Sequence, residues 1–343
     1  MQKIKPKILI RVDSNQEIGG GHAMRMLALS SMLHKEFNIY VAFKKMPENF
    51  QKLYSEFGAI LINLSKIKSN TLFESNIIKI NDFDIVVIDG YESLNSFKKF
   101  CLQNKIKLVL VDDLLIDDFE ADLIINHSPG LKKKDFKKLK KTTLCLGFEY
   151  ALIQKCFLDK AKSQARSLER RDGIFLNLGA SDPKEITAKL IDIILKNTNE
   201  KITCVLGPLN KNSALVKESF KNEGLRVNFF DNLSSENISN LLISSKIGIC
   251  SASTISIEAF SCRLPLIVGW SAKNQSRFYK KISQLGLAKG IGNFEELDLD
   301  ILLDSLKELI FSEKAREKMI RKQIKYFDGK SPERIVKAMK SLL

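Results

Sequence analysis

The sequence predicts an α/β protein made of two doubly wound, Rossmann-like domains that face each other across a cleft. Three observations lead to this prediction. Apolar runs of strand length recur along the chain, and each is followed by a stretch with helical spacing. The runs are apolar on both faces, which is typical of parallel strands covered by helices on both sides. A charged stretch without a strand pattern divides the runs into two groups, and this favours two domains.

The predicted strands are KILIRV, NIYVAF, AILINL, DIVVID, KLVLVD and DLIIN in the first half, and GIFLNLG, ITCVLG, VNFF, IGICS and PLIVGW in the second. We place the first domain at residues 1–156, the charged linker at 157–172 and the second domain at 173–343. The second domain includes a final amphipathic helix, because the Ser-Pro-Glu sequence at Ser331 is a helix-start signal.

The composition is that of a soluble globular protein, with 343 residues, 44% hydrophobic and 28% charged. No apolar run is long enough to cross a membrane, and the basic N-terminus is only briefly apolar, so we expect a cytoplasmic protein. The six cysteines are scattered without a C-x-x-C pair. We expect them to be buried as small hydrophobes in a reducing compartment, with no metal site and no cofactor.

The formal charge of +15 comes mainly from lysine, with its densest run at Lys132–Lys141 (KKKDFKKLKK). Nucleic-acid binding is one explanation of such a run, and a solvated loop or helix face is the other. The run has a single aromatic residue and no nucleic-acid motif around it, so we favour a solvated face. A basic surface can also steer an anionic small substrate. We therefore expect no nucleic-acid partner. We also expect a monomer with no membrane partner, although nothing in the lysine run bears on the oligomeric state.

A glycine loop follows the first predicted strand. In RVDSNQEIGGGH, Gly19, Gly20 and Gly21 are followed at once by His22, and helical spacing begins at Ala23. Glycines let the backbone turn sharply and let a ligand approach the main chain. The free N–H groups of the helix start suit a phosphate or a polarised sugar oxygen. The spacing differs from G-x-G-x-x-G, so it does not predict a dinucleotide site.

His22 adds chemistry to this loop. The helix dipole disfavours imidazolium, so we expect a neutral ring near pH 7, suited to act as a general base on water or a hydroxyl. Asp13, at the end of the same strand, could orient the ring. A histidine that only packs or caps the helix start is equally compatible with the local chemistry. His34 and His127, the other two histidines, are more typical of structural positions.

Small and polar residues follow two strands of the second domain. In LNLGASDP, Gly179 belongs to a turn, and Ser181 either contacts a ligand or caps the next helix. In SASTISIEAF, hydroxyl residues stand at a predicted helix start, where they could hold a diphosphate: Ser251, Ser253 and Thr254.

Two further features complete a possible nucleotide-diphosphate site. Glu258 lies one turn into that helix, where its carboxylate could accept hydrogen bonds from ribose hydroxyls. Asn274 and Gln275 follow the strand PLIVGW in a polar loop. Each feature alone also has a purely structural explanation, but their order and spacing together favour the nucleotide site.

These motifs resemble a known family. IGGGHAMRMLALSSML is similar to the pattern IG-x-GH-x-x-R-x-L-x-L-A, and GFEYALI, LGASDP and SASTISIEAF…AKNQ follow in the family's order, from Ile8 to about Gln275. The family is the UDP-2,4-diacetamido-2,4,6-trideoxy-β-L-altropyranose hydrolase of pseudaminic acid biosynthesis, which serves flagellin glycosylation. The resemblance implies a GT-B fold, similar to that of the UDP-GlcNAc transferase of peptidoglycan synthesis.

The resemblance also implies roles residue by residue. His22 matches the family's catalytic base, and Glu258 matches its ribose-binding glutamate. The remaining residues that match substrate-binding positions are Gly19, Gly20, Gly21, Arg25, Tyr91 and Asn274. Many relatives have G-G-S-T where this chain has Ser251–Thr254, so the diphosphate would here be held more by hydroxyls.

The implied activity is hydrolysis of the sugar C1–O bond, which releases UDP and the free sugar. UDP is a good leaving group, so one base is the main requirement, and direct attack by water would invert the anomeric centre without a metal. A GT-B glycosyltransferase that uses a UDP-amino sugar is the alternative enzyme, and a nucleic-acid-binding protein is the alternative from another class.

Overall fold

The computed structural model describes residues 4–14, 20–66, 82–90, 94–112, 119–162, 171–182, 184–231 and 233–343. The chain divides into two compact units, each built on one parallel sheet. The first unit contains the first strand, His22–Lys155 and Lys330–Leu343, and the second contains Cys156–Gly329 together with Gly20 and Gly21. The prediction of two parallel α/β domains is therefore confirmed.

The sheet of the first unit has seven parallel strands in the order β3-β2-β1-β4-β5-β6-β7. Their bounds are β1 Lys7–Val12, β2 Asn38–Phe43, β3 Ile60–Asn63, β4 Ile85–Asp89, β5 Lys107–Val111, β6 Leu123–Asn126 and β7 Thr143–Leu146.

The sheet of the second unit has six parallel strands in the order β10-β9-β8-β11-β12-β13. Their bounds are β8 Ile174–Asn177, β9 Ile202–Leu206, β10 Val227–Asp231, β11 Ile247–Ser251, β12 Leu266–Trp270 and β13 Lys289–Asn293.

Helices connect the strands. Their bounds are α1 Gly21–Leu33, α2 Glu48–Glu56, α3 Leu94–Asn104, α4 Lys155–Lys162, α5 Ile186–Asn197, α6 Ser213–Ser219, α7 Ser235–Ser244, α8 Thr254–Ser261, α9 Gln275–Gln284, α10 Leu299–Phe311, α11 Glu313–Tyr326 and α12 Ser331–Lys340. Within the described ranges, none of these helices combines the length and the apolar character that a membrane span requires.

Both faces of the first sheet are buried, which explains why its strands read as continuous apolar runs. Ile8 and Ile10 of β1 face a core that also contains residues of α1 and α2. Leu9, between them, faces the opposite core, which contains Phe97 of α3. Successive side chains of a strand point to opposite faces, so only a strand with apolar residues at every position can fill both cores.

The lysine run at Lys132–Lys141 lies on the second of these cores. A short 3₁₀ helix, Lys133–Phe136, begins the run, and Phe136 and Leu139 are buried in the core. The seven lysines of the run are all exposed. This is the solvated face that the sequence favours.

Two edge strands were not predicted from the sequence. β7 (TLCL) has one buried residue, Cys145, and its other residues are partly buried or exposed, as expected for a short strand with one neighbour. β13 (KGIGN) contains two glycines, which weaken a strand signal. A Cβ atom on Gly290 would lie 2.6 Å from the hydroxyl of Tyr279, so the close packing of α9 on β13 requires glycine there.

The strand order reverses once in each sheet. In the first unit the chain runs outward from β1 to β3 and then returns to β4 on the other side of β1. In the second unit the corresponding pair is β8 and β11. Ligands of doubly wound domains bind at such switch points, outside the carboxyl ends of the strands.

The final helix belongs to the first unit, whereas the sequence analysis placed it in the second domain. Ile335 and Met339 of α12 are fully buried in the core that contains β1 and α1. The hydroxyl of Ser331 donates a hydrogen bond of 2.9 Å to the carbonyl of Ala151. Local amphipathic spacing shows which face of a helix is buried but not which core receives it, and this is why the sequence misassigned the helix.

We predict that Met339→Ala lowers the free energy of unfolding of the first unit by about 2–5 kcal/mol, because it leaves a cavity in a closed core. Lys337→Ala, two residues earlier on the exposed side of the same helix, should change it by less than about 0.5 kcal/mol. Chemical denaturation followed by circular dichroism measures both values. Equal stability of the two variants would contradict the placement of α12 in this core.

Candidate functional site

The candidate functional residue of the first unit, His22, lies at the start of α1. α1 begins at Gly21, and His22 is its second residue. Gly20 and Gly21 therefore form the entry to the helix, as the sequence analysis expected. Gly19 lies outside the described residues. Because β1 leads into this segment, His22 lies at the carboxyl edge of the sheet, at its switch point.

His22 contacts a carboxylate from the neighbouring strand. Its Nδ1 atom lies 2.7 Å from Oδ1 of Asp89, the last residue of β4. Arg25, one turn further along α1, binds the same carboxylate at two points, with Nε 2.7 Å from Oδ2 and Nη2 2.5 Å from Oδ1. The register of the sheet pairs Val12 with Asp89, and this brings the carboxylate beside the chain that leaves β1.

These three side chains are poorly accessible to solvent. The side chain of Asp89 is fully buried, that of Arg25 is 6% exposed and that of His22 is 17% exposed. Burial alone would raise the pKa of Asp89, but the adjacent Arg25 guanidinium and His22 ring outweigh burial and lower it to about 2. Asp89 is therefore an ionised hydrogen-bond acceptor at every physiological pH.

The expectation that Asp13 orients His22 is corrected by these contacts. Oδ2 of Asp13 accepts a hydrogen bond of 2.6 Å from Arg11, and Oδ1 accepts bonds from the backbone N–H groups of Lys44 and Lys45. Its carboxylate thus ties the end of β1 to the segment after β2. The sequence reasoning missed Asp89, although a signal was available, because DIVVID ends a buried strand with an acidic residue.

Small residues surround the carboxyl edge of the second unit. The hydroxyls of Ser251 and Ser253 lie 2.9 Å apart after β11, and Gly179 follows β8 with φ of +99°. A Cβ atom on Gly179 would lie 3.5 Å from the hydroxyl of Ser251. A Cβ atom on Gly207, after β9, would lie 2.2 Å from the carbonyl oxygen of Gly179. The backbone therefore approaches closely at this edge, and glycine is required at both positions.

α8 starts at this edge, and the hydroxyl of its N-cap residue makes no hydrogen bond to the backbone N–H groups of the first turn. Ser253 is the N-cap residue, but its side chain makes no capping hydrogen bond, and Thr254 is the first helical residue. Uncapped N–H groups at a helix start are suited to bind an anion.

Glu258 lies in the same helix and is buried. Burial raises the pKa of its carboxyl group to about 8. Among the described residues no hydrogen-bond partner of the carboxyl group is found. Three thiols lie near it, and the pKa of each is raised well above its ordinary value, mainly by burial and in part by Glu258: Cys156, Cys250 and Cys262. A buried carboxyl group without a partner is poised to bind a polar ligand.

The other predicted site residues have separate surroundings. Asn274 is the N-cap residue of α9, and Oε1 of Gln275 accepts a bond of 3.1 Å from the backbone N–H of Ser271. Ser181 does not cap α5, because the carboxylate of Asp182 accepts the N–H groups at that helix start. Tyr91 lies outside the described residues.

The remaining histidines have structural contacts. Nδ1 of His34 lies 2.7 Å from the carbonyl oxygen of Ser31. Nδ1 of His127 accepts a bond of 3.2 Å from the backbone N–H of Leu152. All six cysteines are unpaired, and five are buried. In the part of the chain that the structure describes, no three histidine, cysteine or acidic side chains are grouped to hold a metal ion.

We predict that Glu258→Gln stabilises the protein more at pH 8.5 than at pH 5. The pKa of Glu258 is raised in the folded state, so the wild type loses stability as pH rises from the unfolded value near 4.5 through about 8. Glutamine does not ionise, and the difference in Tm between variant and wild type should therefore increase across this range. A constant difference, measured by calorimetry, would contradict the raised pKa.

No family model matches the chain. An uncharacterized protein of Methanocaldococcus jannaschii is 28% identical over 299 residues, which are 82% of this chain. The chain spans only 60% of the length of that protein. The UDP-2,4-diacetamido-2,4,6-trideoxy-β-L-altropyranose hydrolase of Campylobacter jejuni is 29% identical over 274 residues, which are 78% of this chain and 93% of the hydrolase.

Solved structures are similar over nearly the whole chain. MurG of Acinetobacter baumannii has a TM-score of 0.67 at 11% identity, covering 98% of this chain and 100% of that chain. A putative UDP-N-acetylglucosamine 2-epimerase of Listeria monocytogenes has a TM-score of 0.68 at 17% identity, covering 98% of this chain and 96% of that chain. MnaA of S. aureus, solved with UDP, has a TM-score of 0.66 at 18% identity, covering 98% of each chain.

Because the sequence identities are low, the solved structures inform only on the fold. They confirm the prediction of a GT-B fold. The hydrolase of Campylobacter jejuni is similar to this chain in sequence over 274 residues, which is far more than the length of the motifs at His22 and Glu258. The resemblance of this chain to the UDP-2,4-diacetamido-2,4,6-trideoxy-β-L-altropyranose hydrolase, inferred from those motifs, is thereby confirmed.

Proposed function

We propose that the chain hydrolyses the C1–O bond of UDP-2,4-diacetamido-2,4,6-trideoxy-β-L-altropyranose and releases UDP and the free sugar. The proposal rests on the position of His22. This residue lies at the start of a helix that follows a glycine segment, and its Nδ1 atom contacts the buried carboxylate of Asp89. The similarity to the hydrolase of Campylobacter jejuni over 93% of that protein supports this choice of substrate.

His22 acts as the general base in this reaction. The oxygen of a water molecule attacks C1 of the sugar while His22 takes a proton from that water. The bond between C1 and the phosphate oxygen breaks, and its electron pair leaves with UDP. A positioned base contributes typically 10²–10⁴-fold to such a step. The diphosphate is a good leaving group when its charge is stabilised, so no further acid is required.

The second unit holds the nucleotide. The open N–H groups of α8 and the hydroxyls of Ser251, Ser253 and Thr254 bind the diphosphate. Gly179 keeps the backbone of the β8 edge close to it. The carboxyl group of Glu258 binds the ribose hydroxyls, which gives this buried and unpartnered group a ligand. Asn274 and Gln275 belong to the loop beside this site.

Several finer features complete the proposal. Direct attack by water inverts the anomeric centre, and the reaction needs no metal ion. The free sugar then enters pseudaminic acid biosynthesis, which serves flagellin glycosylation, in the cytoplasm. The enzyme acts as a monomer.

A glycosyltransferase is the second candidate function. Solved glycosyltransferases, including the calicheamicin glycosyltransferase CalG4, have the same fold, and the same base could activate an acceptor hydroxyl instead of water. The two functions differ in whether UDP release requires an acceptor. Incubation with the UDP-sugar alone, followed by NMR of the products, distinguishes them, because only the hydrolase forms the free sugar.

We predict that His22→Asn lowers turnover by roughly 10²–10⁴-fold, the range for loss of a positioned general base. UDP affinity should remain, because the nucleotide is bound by the second unit. His34→Asn, the same substitution just after the same helix, should leave turnover unchanged. Steady-state kinetics and calorimetry with UDP measure these effects.

The position of the solvent oxygen tests the same step independently. In water labelled with oxygen-18, the label should appear on the C1 hydroxyl of the sugar and not in UDP. Label in UDP would show attack at phosphorus and would contradict the mechanism even if His22 proved essential.

We also predict that Glu258→Ala weakens UDP binding by about 1–3 kcal/mol, the cost of leaving a buried polar group without its hydrogen-bond partner. Glu296→Ala, an exposed position in the same unit, should not change it. Titration calorimetry measures both. UDP affinity equal to that of the wild type in the Glu258→Ala variant would refute the ribose contact.

A further inference from the structure

We infer that Asp89 and Arg25 form a buried positioning pair that fixes the tautomer of His22, with hydrogen on Nδ1 and Nε2 open as the proton acceptor. The inference deepens the proposed function, on which it rests for the role of His22 as base. It also gives Arg25 a different role from the substrate contact that the resemblance implies. Both residues act through His22.

The distance between His22 and Asp89 requires a hydrogen atom between them. Nδ1 and Oδ1 lie 2.7 Å apart, which is a short hydrogen bond and too close for two atoms that both present lone pairs. One of the two atoms must therefore carry the hydrogen. Arg25 decides which one, because its guanidinium is always charged and binds both carboxylate oxygens of Asp89. Asp89 stays ionised, so the hydrogen resides on Nδ1.

A second contact agrees with this assignment. Nη2 of Arg25 lies 3.2 Å from Nδ1 of His22, and both nitrogens lie within 2.7 Å of Oδ1 of Asp89. The geometry is that of two donors that share one acceptor oxygen. If Nδ1 instead accepted a hydrogen bond from Arg25, its close contact with Oδ1 would have no hydrogen and would be repulsive.

The surroundings hold the pair in place. Asp89 belongs to a central strand, and Arg25 lies on the helix that carries His22, so two regular elements fix the three groups. The hydroxyl of Tyr54, on α2, donates a bond of 2.7 Å to the carbonyl of Ala23 and thereby holds the first turn of α1. The charged groups of α1 and β4 that face the His22 ring in the described ranges are Arg25 and Asp89, and their charges cancel.

This arrangement leaves Nε2 for the reaction. The side chain of His22 is 17% exposed to solvent, whereas that of Asp89 is fully buried. The accessible edge of the ring is therefore the one away from Asp89. When Nε2 takes a proton, the contact at Nδ1 becomes a hydrogen bond between two ions, which is stronger than the neutral one. The pair thus orients the ring before the reaction and stabilises it afterwards, as in the histidine–aspartate pairs of other hydrolases.

Ring nitrogen NMR tests the tautomer directly. The chain has three histidines, and the His22→Asn variant identifies the signals of His22. In the wild type above neutral pH, we expect hydrogen on Nδ1 and none on Nε2. Hydrogen on Nε2 would overturn the inference. This measurement requires no substrate and no variant of Asp89.

Asp89→Asn tests the positioning role. Oδ1 is shared by His22 and Arg25, so the amide places its NH₂ group against Arg25 in either orientation. Because arginine has no acceptor, only the orientation with NH₂ at the Oδ1 position gives that group an acceptor, which is Nδ1 of His22. We expect the ring hydrogen to move to Nε2 and turnover to fall by roughly 10²–10⁴-fold with UDP affinity unchanged. Asp122→Asn removes a carboxylate that binds Lys107 and Leu108 in the same unit and should change neither. An unchanged tautomer and turnover in Asp89→Asn would overturn the inference.

Arg25 is tested by a conservative and a neutral substitution. Lysine keeps the positive charge beside Asp89, whereas methionine has a similar length without it, so Arg25→Lys should retain more turnover than Arg25→Met. Equal turnover in the two variants would show that Arg25 acts only through packing and would overturn its part in the pair. The proposed function is tested separately. If His22→Asn retained full turnover while the spectra were as expected, the function would fail and the positioning pair would stand.

Discussion

In both units the first strand pairs in parallel with a strand that comes much later, and the candidate site depends on this pairing. The connections that leave β1 and β4 run to opposite sides, as do those that leave β8 and β11, and the edge between each pair is left uncovered by the connections. In the first unit the register that pairs Val12 with Asp89 brings a carboxylate to the chain that enters α1. A shift of one residue would turn Asp89 to the other face of the sheet.

The two edges use different electrostatics. At the first edge, the opposite charges of Asp89 and Arg25 compensate each other, because both side chains are buried away from solvent. Removal of either one would leave the other as a buried charge that has lost its ion pair, which is destabilising. At the second edge, hydroxyls and backbone N–H groups predominate, and the buried carboxyl group of Glu258 has a raised pKa. The first edge is therefore fixed by an ion pair, whereas the second keeps open donors that an anionic ligand can satisfy.

Much of this arrangement could be predicted from the sequence because it depends on local patterns. Strands buried on both faces read as apolar runs, and the glycines before His22 mark the helix start. β7 and β13 could not be predicted in this way, because an edge strand is half exposed and Gly290 is determined by the packing of Tyr279. Asp89 lies 67 residues from His22 in sequence, and only the strand order brings the two together. The core that receives α12 is likewise a long-range property.

The return of α12 to the first unit has a consequence for how the chain acquires its structure during synthesis. Residues 22–155 leave the ribosome early, but the core that they form is closed by Ile335 and Met339. At roughly 5–20 residues per second, the intervening stretch takes on the order of ten seconds or more to be made. Apart from the glycines before His22, the second unit is one continuous segment and can complete its fold within that interval. The unit that is translated first is therefore the last to be finished, and until then it presents an apolar groove that chaperones can bind.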